Sequence, residues 1–374
     1  MDYLLLAINP GSTSTKVAVY YNNKLVKEQT LRHDVEELEK FDSIIDQSDF
    51  RKNVILDFIK KHDYELKDFD VFVGRGGMMK PLKNGGTYLV TKDMLKDLRS
   101  GEYGYHASNL GAILADEFAK EHKRLAYIVN PVCIDEFDDI SRISGQKLIE
   151  RRSVFHALNQ KAIAIQFAKD IKKDYKDLNL IVTHLGGGIS VGFHKKGRVV
   201  DCNNALGGDG PFSPERTGTI PTYPLVDLCF SGEYSKDEIK KLLVGEGGLV
   251  SYLGTNDARV VEERIEKGDQ EAKLHYDAMA YNVVKEIGSL YFAAKGDIDG
   301  ILITGGIAYS EYFVNYIKEH INPIMQIKVY PGEDEMRSLA EGAMRVLLKE
   351  EKSQVYWLYT FYQYALKFNN HIMN

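Results

Sequence analysis

Cysteine is scarce in this chain of 374 residues, and the three present, Cys133, Cys202 and Cys229, stand in neither CxxC nor CxxH spacing. An odd, scattered set excludes a disulfide framework and a cysteine zinc site. It points to reduced thiols in a cytoplasmic protein. No apolar run approaches the ~20 residues that a membrane span needs. The apolar residues near the start follow no basic segment and are too few for a signal peptide. Excess positive charge is missing as well. The 48 basic and 54 acidic residues leave a net −6, which argues against a general binder of nucleic acid or membrane surfaces. Tryptophan occurs once, at Trp357, inside the aromatic stretch "VYWLYTFYQYALKF" at 355–368. That stretch reads as a helix packed on the core or on a partner subunit.

What is present is an ordinary globular balance over a length that allows two domains. Apolar alternation predicts strands over 3–8, 16–21 and 24–30, with Asn22-Asn23 as a hairpin turn. The plan recurs later. Strands are predicted over 180–184, over 191–194 and from 198, with "LGGGIS" after the first and Lys195-Lys196-Gly197 as the later turn. Setting Gly11 over Gly186 aligns the two first strands, so the chain reads as two related α/β lobes. Apolar residues at helical spacing predict helices over 50–62, 109–121, 155–172, 271–294 and 336–349. A buried strand over 298–304 ends in Gly305-Gly306.

Three glycine loops therefore sit at the carboxyl ends of apolar strands. In "NPGSTSTK", Asn9, Gly11, Ser12, Ser14 and Lys16 offer flexible backbone, short hydroxyls and one point charge, which polyphosphate oxygens need. It is not a Walker A loop, and a strand follows it instead of a helix. His184, Gly186, Gly188 and Ser190 form the second loop, and Thr304, Gly305 and Gly306 the third. One such loop is as often an ordinary turn, but three together read as a nucleotide site. Arg75 ends a predicted strand between glycines, and Arg216 lies in the Gly/Pro-rich segment "GGDGPFSPERTGTIP". Arginine suits bidentate contact with carboxylate or phosphate, although a single loop arginine is usually solvated. His156 opens a predicted helix, where a lone histidine is more often structural. No serine or cysteine shows an activating base.

Eight stretches together resemble the acetate kinase family, and within it the butyrate branch. They are "NPGSTSTK", "VGRGG", "PVCIDEFDDISRISG", "RRSVFHALNQKAIA", "THLGGGIS", "GGDGPFSPERTG", "TGGIAYSE" and "YPGEDEMRSLAEGAMRVL". The resemblance runs from about residue 3 to about residue 350. It implies the actin-like, sugar-kinase and chaperone superfamily, in which two duplicated ribonuclease-H-like lobes, mixed sheets flanked by helices, close around ATP. The expected lobes are 1–152, with 331–374 returning to the first, and 153–330. The implied reaction phosphorylates a short-chain carboxylate, butyrate in this branch, with ATP and Mg²⁺, giving ADP and an acyl phosphate in a cytoplasmic homodimer or higher homo-oligomer.

Residue by residue, the resemblance implies phosphate and magnesium contacts for Asn9, Ser12, Ser14 and Lys16, and a carboxylate clamp at Arg75. Arg216 would touch substrate and transferring phosphoryl group, and His156 the transition state. His184, Gly186 and Gly188 fall in the second phosphate motif, Asp257 and Arg259 in a nucleotide segment, and Gly305 and Gly306 at the adenosine. Two departures stand out. Ala308-Tyr309 replace a Gly-Glu pair, as is usual for the butyrate branch, and Asn130 stands where a catalytic aspartate is expected. Either Asp135 nearby supplies the compensating carboxylate at the metal, or metal binding and rate are impaired. Competing readings are a kinase for acetate, propionate or a branched acid, a weakened paralogue, and an actin- or chaperone-like ATPase.

Overall fold

The computed structural model describes residues 2–356. The aromatic tail expected over 355–368 lies outside the described residues except for its first two. The chain divides into two compact units, Met1–Ile134 with Asp334–Asn374, and Asp135–Glu333.

In the first unit, β1 (Leu4–Pro10), β2 (Ser14–Tyr21) and β3 (Lys24–Arg32) form an antiparallel meander. Asn22 turns β2 into β3 at φ 54°, a conformation asparagine tolerates better than most residues. Three further strands, β4 (Val71–Arg75), β5 (Thr87–Leu89) and β6 (Leu125–Val129), extend the sheet. β4 pairs parallel with β1, β6 pairs parallel with β4, and β5 runs antiparallel to β6.

The second unit repeats this plan with β7 (Asn179–Leu185), β8 (Ile189–Lys195) and β9 (Arg198–Cys202) as its meander. β10 (Gly300–Gly305) pairs parallel with β7, and β11 (Ile327–Pro331) pairs parallel with β10. The orders β6-β4-β1-β2-β3 and β11-β10-β7-β8-β9 are the same topology twice. Each meander even carries its register shift at the same place, Val19/Tyr20 in one and Phe193/His194 in the other. A last short strand, β12 (Gln354–Val355), pairs parallel with β5.

Burial explains which strands are central. β7 and β10 are buried at every residue, as parallel strands covered on both faces must be. The edge strand β3 is mostly exposed and carries Lys24, Lys27, Glu28 and Arg32, charges that discourage edge pairing. In the first unit the helices Asn109–Glu121 and Glu335–Leu347 pack on β1, β4 and β6. Phe69, Phe72 and Phe118 lie fully buried there, each stabilising by about 1.5–3 kcal/mol relative to exposure. In the second unit the helix Ala157–Asp170 packs on β7 and β10, and Gln270–Ala293 packs on β7 and β8. No helix among the described residues is long and apolar enough to cross a membrane.

Candidate active site

The turn between β1 and β2 closes with the Gly11 N–H donating to the Ser14 carbonyl at 2.8 Å. Beneath it lies Arg51, wholly buried on the helix Ser48–Lys61. Its guanidinium donates to the carbonyls of Gly11, Ser12 and Ser14 at 2.8–2.9 Å. It also reaches Thr15 Oγ1 and Gln47 Oε1. Carbonyl, amide and hydroxyl oxygens hold this charge; burial lowers its pKa to about 10, so it stays protonated at neutral pH. Tying three carbonyls to Arg51 fixes the shape of the turn. Sequence reasoning passed over Arg51. The available signal was its place four residues before Ile55 on the helix's apolar face.

At the carboxyl ends of β1 and β4, Arg75 Nη1 donates to Asn9 Oδ1 at 3.3 Å and to Glu335 Oε2 at 3.0 Å. Asn9 Nδ2 donates to the same Glu335 oxygen at 2.5 Å. The carboxylate beside Asn9 is thus Glu335, the first residue of the helix Glu335–Leu347, which was not singled out from sequence. Magnesium is ordinarily bound by one or two carboxylates together with substrate phosphates and water, and Asn9 with Glu335 fits that pattern. Among the described residues, no group of three His, Cys, Asp or Glu side chains could hold a metal alone. Desolvation and then the Arg75 charge hold His106 below the usual histidine value, marking it as another neighbour of this arginine.

The other expected residues of this set have defined partners. Lys16 pairs with Glu28 at 2.8 Å. Ser12 is exposed in the turn, and Ser14 begins β2. Asn130 adopts φ 40° and is locked to Gly86, its Oδ1 accepting from the Gly86 N–H at 2.7 Å and its own N–H donating to the Gly86 carbonyl. Asparagine there satisfies a backbone requirement. In the second unit, Asp135 gives both carboxylate oxygens to Arg142, at 2.6 and 2.7 Å, so its charge is already paired.

The second unit brings His156, His184, Gly186, Gly188 and Arg216 together. His156 and His184 stack with ring centroids 3.8 Å apart. His184 Nδ1 meets Asn159 Oδ1 at 2.8 Å, and its Nε2 lies 3.2 Å from Glu333. The Arg216 guanidinium presses on Gly188, where a Cβ would stand 1.9 Å from Nη1. Nη1 donates to the Ala205 carbonyl, while the buried Nε has no hydrogen-bond partner among the described residues. Burial lowers the pKa of this arginine, and Glu215, 3.8 Å away, offsets part of that. An unpaired buried donor on a cation suits an anionic oxygen.

Next to this group an open cavity of about 720 Å³ is lined by Gly186, Asp257, Arg259, Gly306, Tyr309 and Glu333, among others. Its volume falls in the range of small-molecule and cofactor sites. Asp257 caps the helix Ala258–Glu266 and binds Arg259 through both backbone and side chain, which lowers its carboxyl to about 2. Gly305, which ends β10, and Gly306, which follows it, differ in role. Gly305 has φ 94°, and a Cβ there would meet the Leu185 carbonyl at 2.3 Å; a Cβ on Gly306 would meet nothing within 4 Å. Gly305→Ala is expected to destabilise the protein by about 3 kcal/mol. Gly306→Ala should keep the melting temperature and weaken nucleotide binding. Equal melting losses in the two variants would contradict this division.

Two units that repeat one strand order, with glycine turns at their strand ends, define a duplicated mixed α/β fold of two sheets flanked by helices. Residues 139–359, more than half of the chain, match the Acetokinase family, and the chain belongs to that family. Membership makes it a phosphotransferase that uses ATP to phosphorylate a carboxylate. The crystal structure of Porphyromonas gingivalis acetate kinase is similar over 92% of this chain and 100% of its own, with a TM-score of 0.75 at 17% identity. Entamoeba histolytica acetate kinase is similar over 91% and 98%, with a TM-score of 0.71 at 17% identity. For a propionate kinase from Francisella tularensis the coverage is 91% and 98%, the TM-score 0.69 and the identity 18%. At such identities the likeness speaks for the fold.

Proposed function

We propose that this protein transfers the γ-phosphoryl group of ATP to a short-chain fatty acid, with butyrate preferred. The observation that carries the phosphotransfer reading is Arg216, a cation with an unpartnered buried Nε beside the Gly186–Gly188 turn. The preference for butyrate rests on Ala308-Tyr309, the pair usual in that branch; the exposed Tyr309 lines the cavity.

A carboxylate is already ionised at pH 7, since carboxyl groups titrate near pH 4, so no general base is needed. The difficulty is bringing two anions together. Arg75 holds the acid by one carboxylate face. Arg216 and His156 donate to the equatorial oxygens as charge builds there, and the turn at residues 186–188 cradles phosphate with backbone N–H groups. Asn9 and Glu335 would hold the magnesium, which would neutralise phosphate charge. Ser12, Ser14 and Lys16 complete the phosphate contacts, with Lys16 leaving Glu28. Asn130 keeps its place in the catalytic set by shaping backbone, and Asp257, Arg259, Gly305 and Gly306 surround the nucleoside. Phosphoryl transfer draws almost entirely on such positioning and electrostatics.

Self-association belongs to the same proposal. The helix Thr222–Cys229 has no buried residue, and its Tyr223 and the Phe230 that follows it are exposed, a surface that a second subunit would cover. The free thiols of Cys133, Cys202 and Cys229 support a cytoplasmic setting.

The test is acyl hydroxamate formation from ATP and a series of short fatty acids, with hydroxylamine as trap. ATP consumption is expected to require the acid, with kcat/KM highest for butyrate. A maximum at acetate or propionate moves the preference to the acids named for the structural neighbours. ATP hydrolysis indifferent to acid would overturn the kinase reading in favour of an actin-like ATPase.

A further inference from the structure

Behind His156 runs a buried chain of hydrogen bonds whose direction can be read from the donors. Ser190, Gln160 and His194 are each fully buried. Gln160 Nε2 lies 3.0 Å from the Ser190 carbonyl and 2.8 Å from Ser190 Oγ. A carbonyl only accepts, so the amide nitrogen must face Ser190 and the amide oxygen must face away from it. That oxygen lies 3.0 Å from His194 Nε2, which therefore carries a proton. Burial and then the Lys161 charge keep His194 neutral, leaving its Nδ1 bare to accept from the Tyr175 hydroxyl at 2.8 Å.

The consequence falls on His156. Ser190 Oγ accepts from Gln160, and the His156 backbone N–H approaches it at 3.4 Å. Its own proton is then left for His156 Nδ1, 2.8 Å away. The opposite arrangement would aim three donors at two lone pairs of one oxygen. We infer that Gln160, Ser190 and His194 are positioning residues that set His156 in the tautomer with its proton on Nε2, so that the ring presents a donor to the phosphoryl oxygens. Gly192 belongs to the same device, because a Cβ there would stand 2.5 Å from Gln160 Oε1. The inference rests on the phosphotransfer role proposed for His156, but the tautomer itself does not depend on that role.

Long-range proton–nitrogen spectra of the full-length protein labelled with ¹⁵N-histidine test it, with His156 assigned by its loss in His156→Asn. The expected result at pH 7 is a bare Nδ1 and a protonated Nε2 on His156. A protonated Nδ1 in the unaltered protein overturns the inference. Ser190→Ala removes the donor, and Gly192→Ala crowds Gln160 Oε1 while leaving the Ser190 hydroxyl in place, so the two variants disturb the chain from different ends; thermal melts show which of them stays folded. Both are expected to mix the tautomers and to lower kcat by roughly 10²-fold, the effect of losing one transition-state donor. The KM for ATP should stay within about twofold, as for a contact made only in the transition state. Ser190→Thr, which retains the hydroxyl, should recover part of the loss. A fall in kcat with the tautomer unchanged would overturn the positioning role. Mixed tautomers with kcat unchanged would leave the chain standing and remove His156 from the reaction.

Discussion

Replacing Arg216 by alanine is expected to lower acyl-phosphate formation by roughly 10³-fold, the scale seen for arginines that act on a phosphoryl transition state. Its Nε is buried without a partner, and Gly188 leaves room for the guanidinium to lie against the turn. Such a group gains most when oxygen charge appears beside it. ATP should still bind, because the cavity lining does not include Arg216. Steady-state kinetics with a nucleotide titration on the same sample measure both quantities. Near-normal turnover would remove Arg216 from the mechanism, and an equal loss of nucleotide affinity would make it a ground-state contact. Arg216→Lys should rescue little, since an ammonium lacks the planar fork.

The second large effect is expected at Arg51, far from any reacting atom. Arg51→Met fills similar space but leaves the carbonyls of Gly11 and Ser12 and the Gln47 amide oxygen without their donor, and leaves the Ser14 carbonyl with the Gly11 N–H alone. Each unsatisfied group costs about 1–3 kcal/mol where water cannot replace the bond. Since water reaches part of this turn, the expected loss is about 4 kcal/mol, to be read from denaturant unfolding. Arg51→Lys should lose less, because the charge remains but one nitrogen cannot serve all three carbonyls. A change below about 1 kcal/mol for Arg51→Met would show that water holds the turn unaided. In variants that stay folded, ATP affinity should fall more than the affinity for the fatty acid.

Much of the architecture was legible in the chain. Alternation and the Asn22 and Lys196-Gly197 turns marked both meanders, and the structure repeats them with the same strand order. Those signals are local: a strand's faces and a turn's positive φ are written within a few residues. Glycine loops were visible for the same reason, although the loops cannot say what braces them. Arg51 interrupts an apolar face and was therefore easy to pass over, since the turn it braces lies 36–40 positions away.

By itself the sequence determined the α/β class, the duplicated strand plan, the glycine turns and a family resemblance carried by several long motifs. Only the tertiary structure decided what each polar group faces. It placed Glu335 on Asn9 and Arg75 across 326 and 260 positions of chain, paired Asp135 with Arg142, and put Asn130 on Gly86. It also aligned Tyr175, His194, Gln160 and Ser190 behind His156. The physical reason is that apolar periodicity follows the chain, whereas hydrogen-bond donors and acceptors are matched through space, after strands far apart in sequence have been brought side by side.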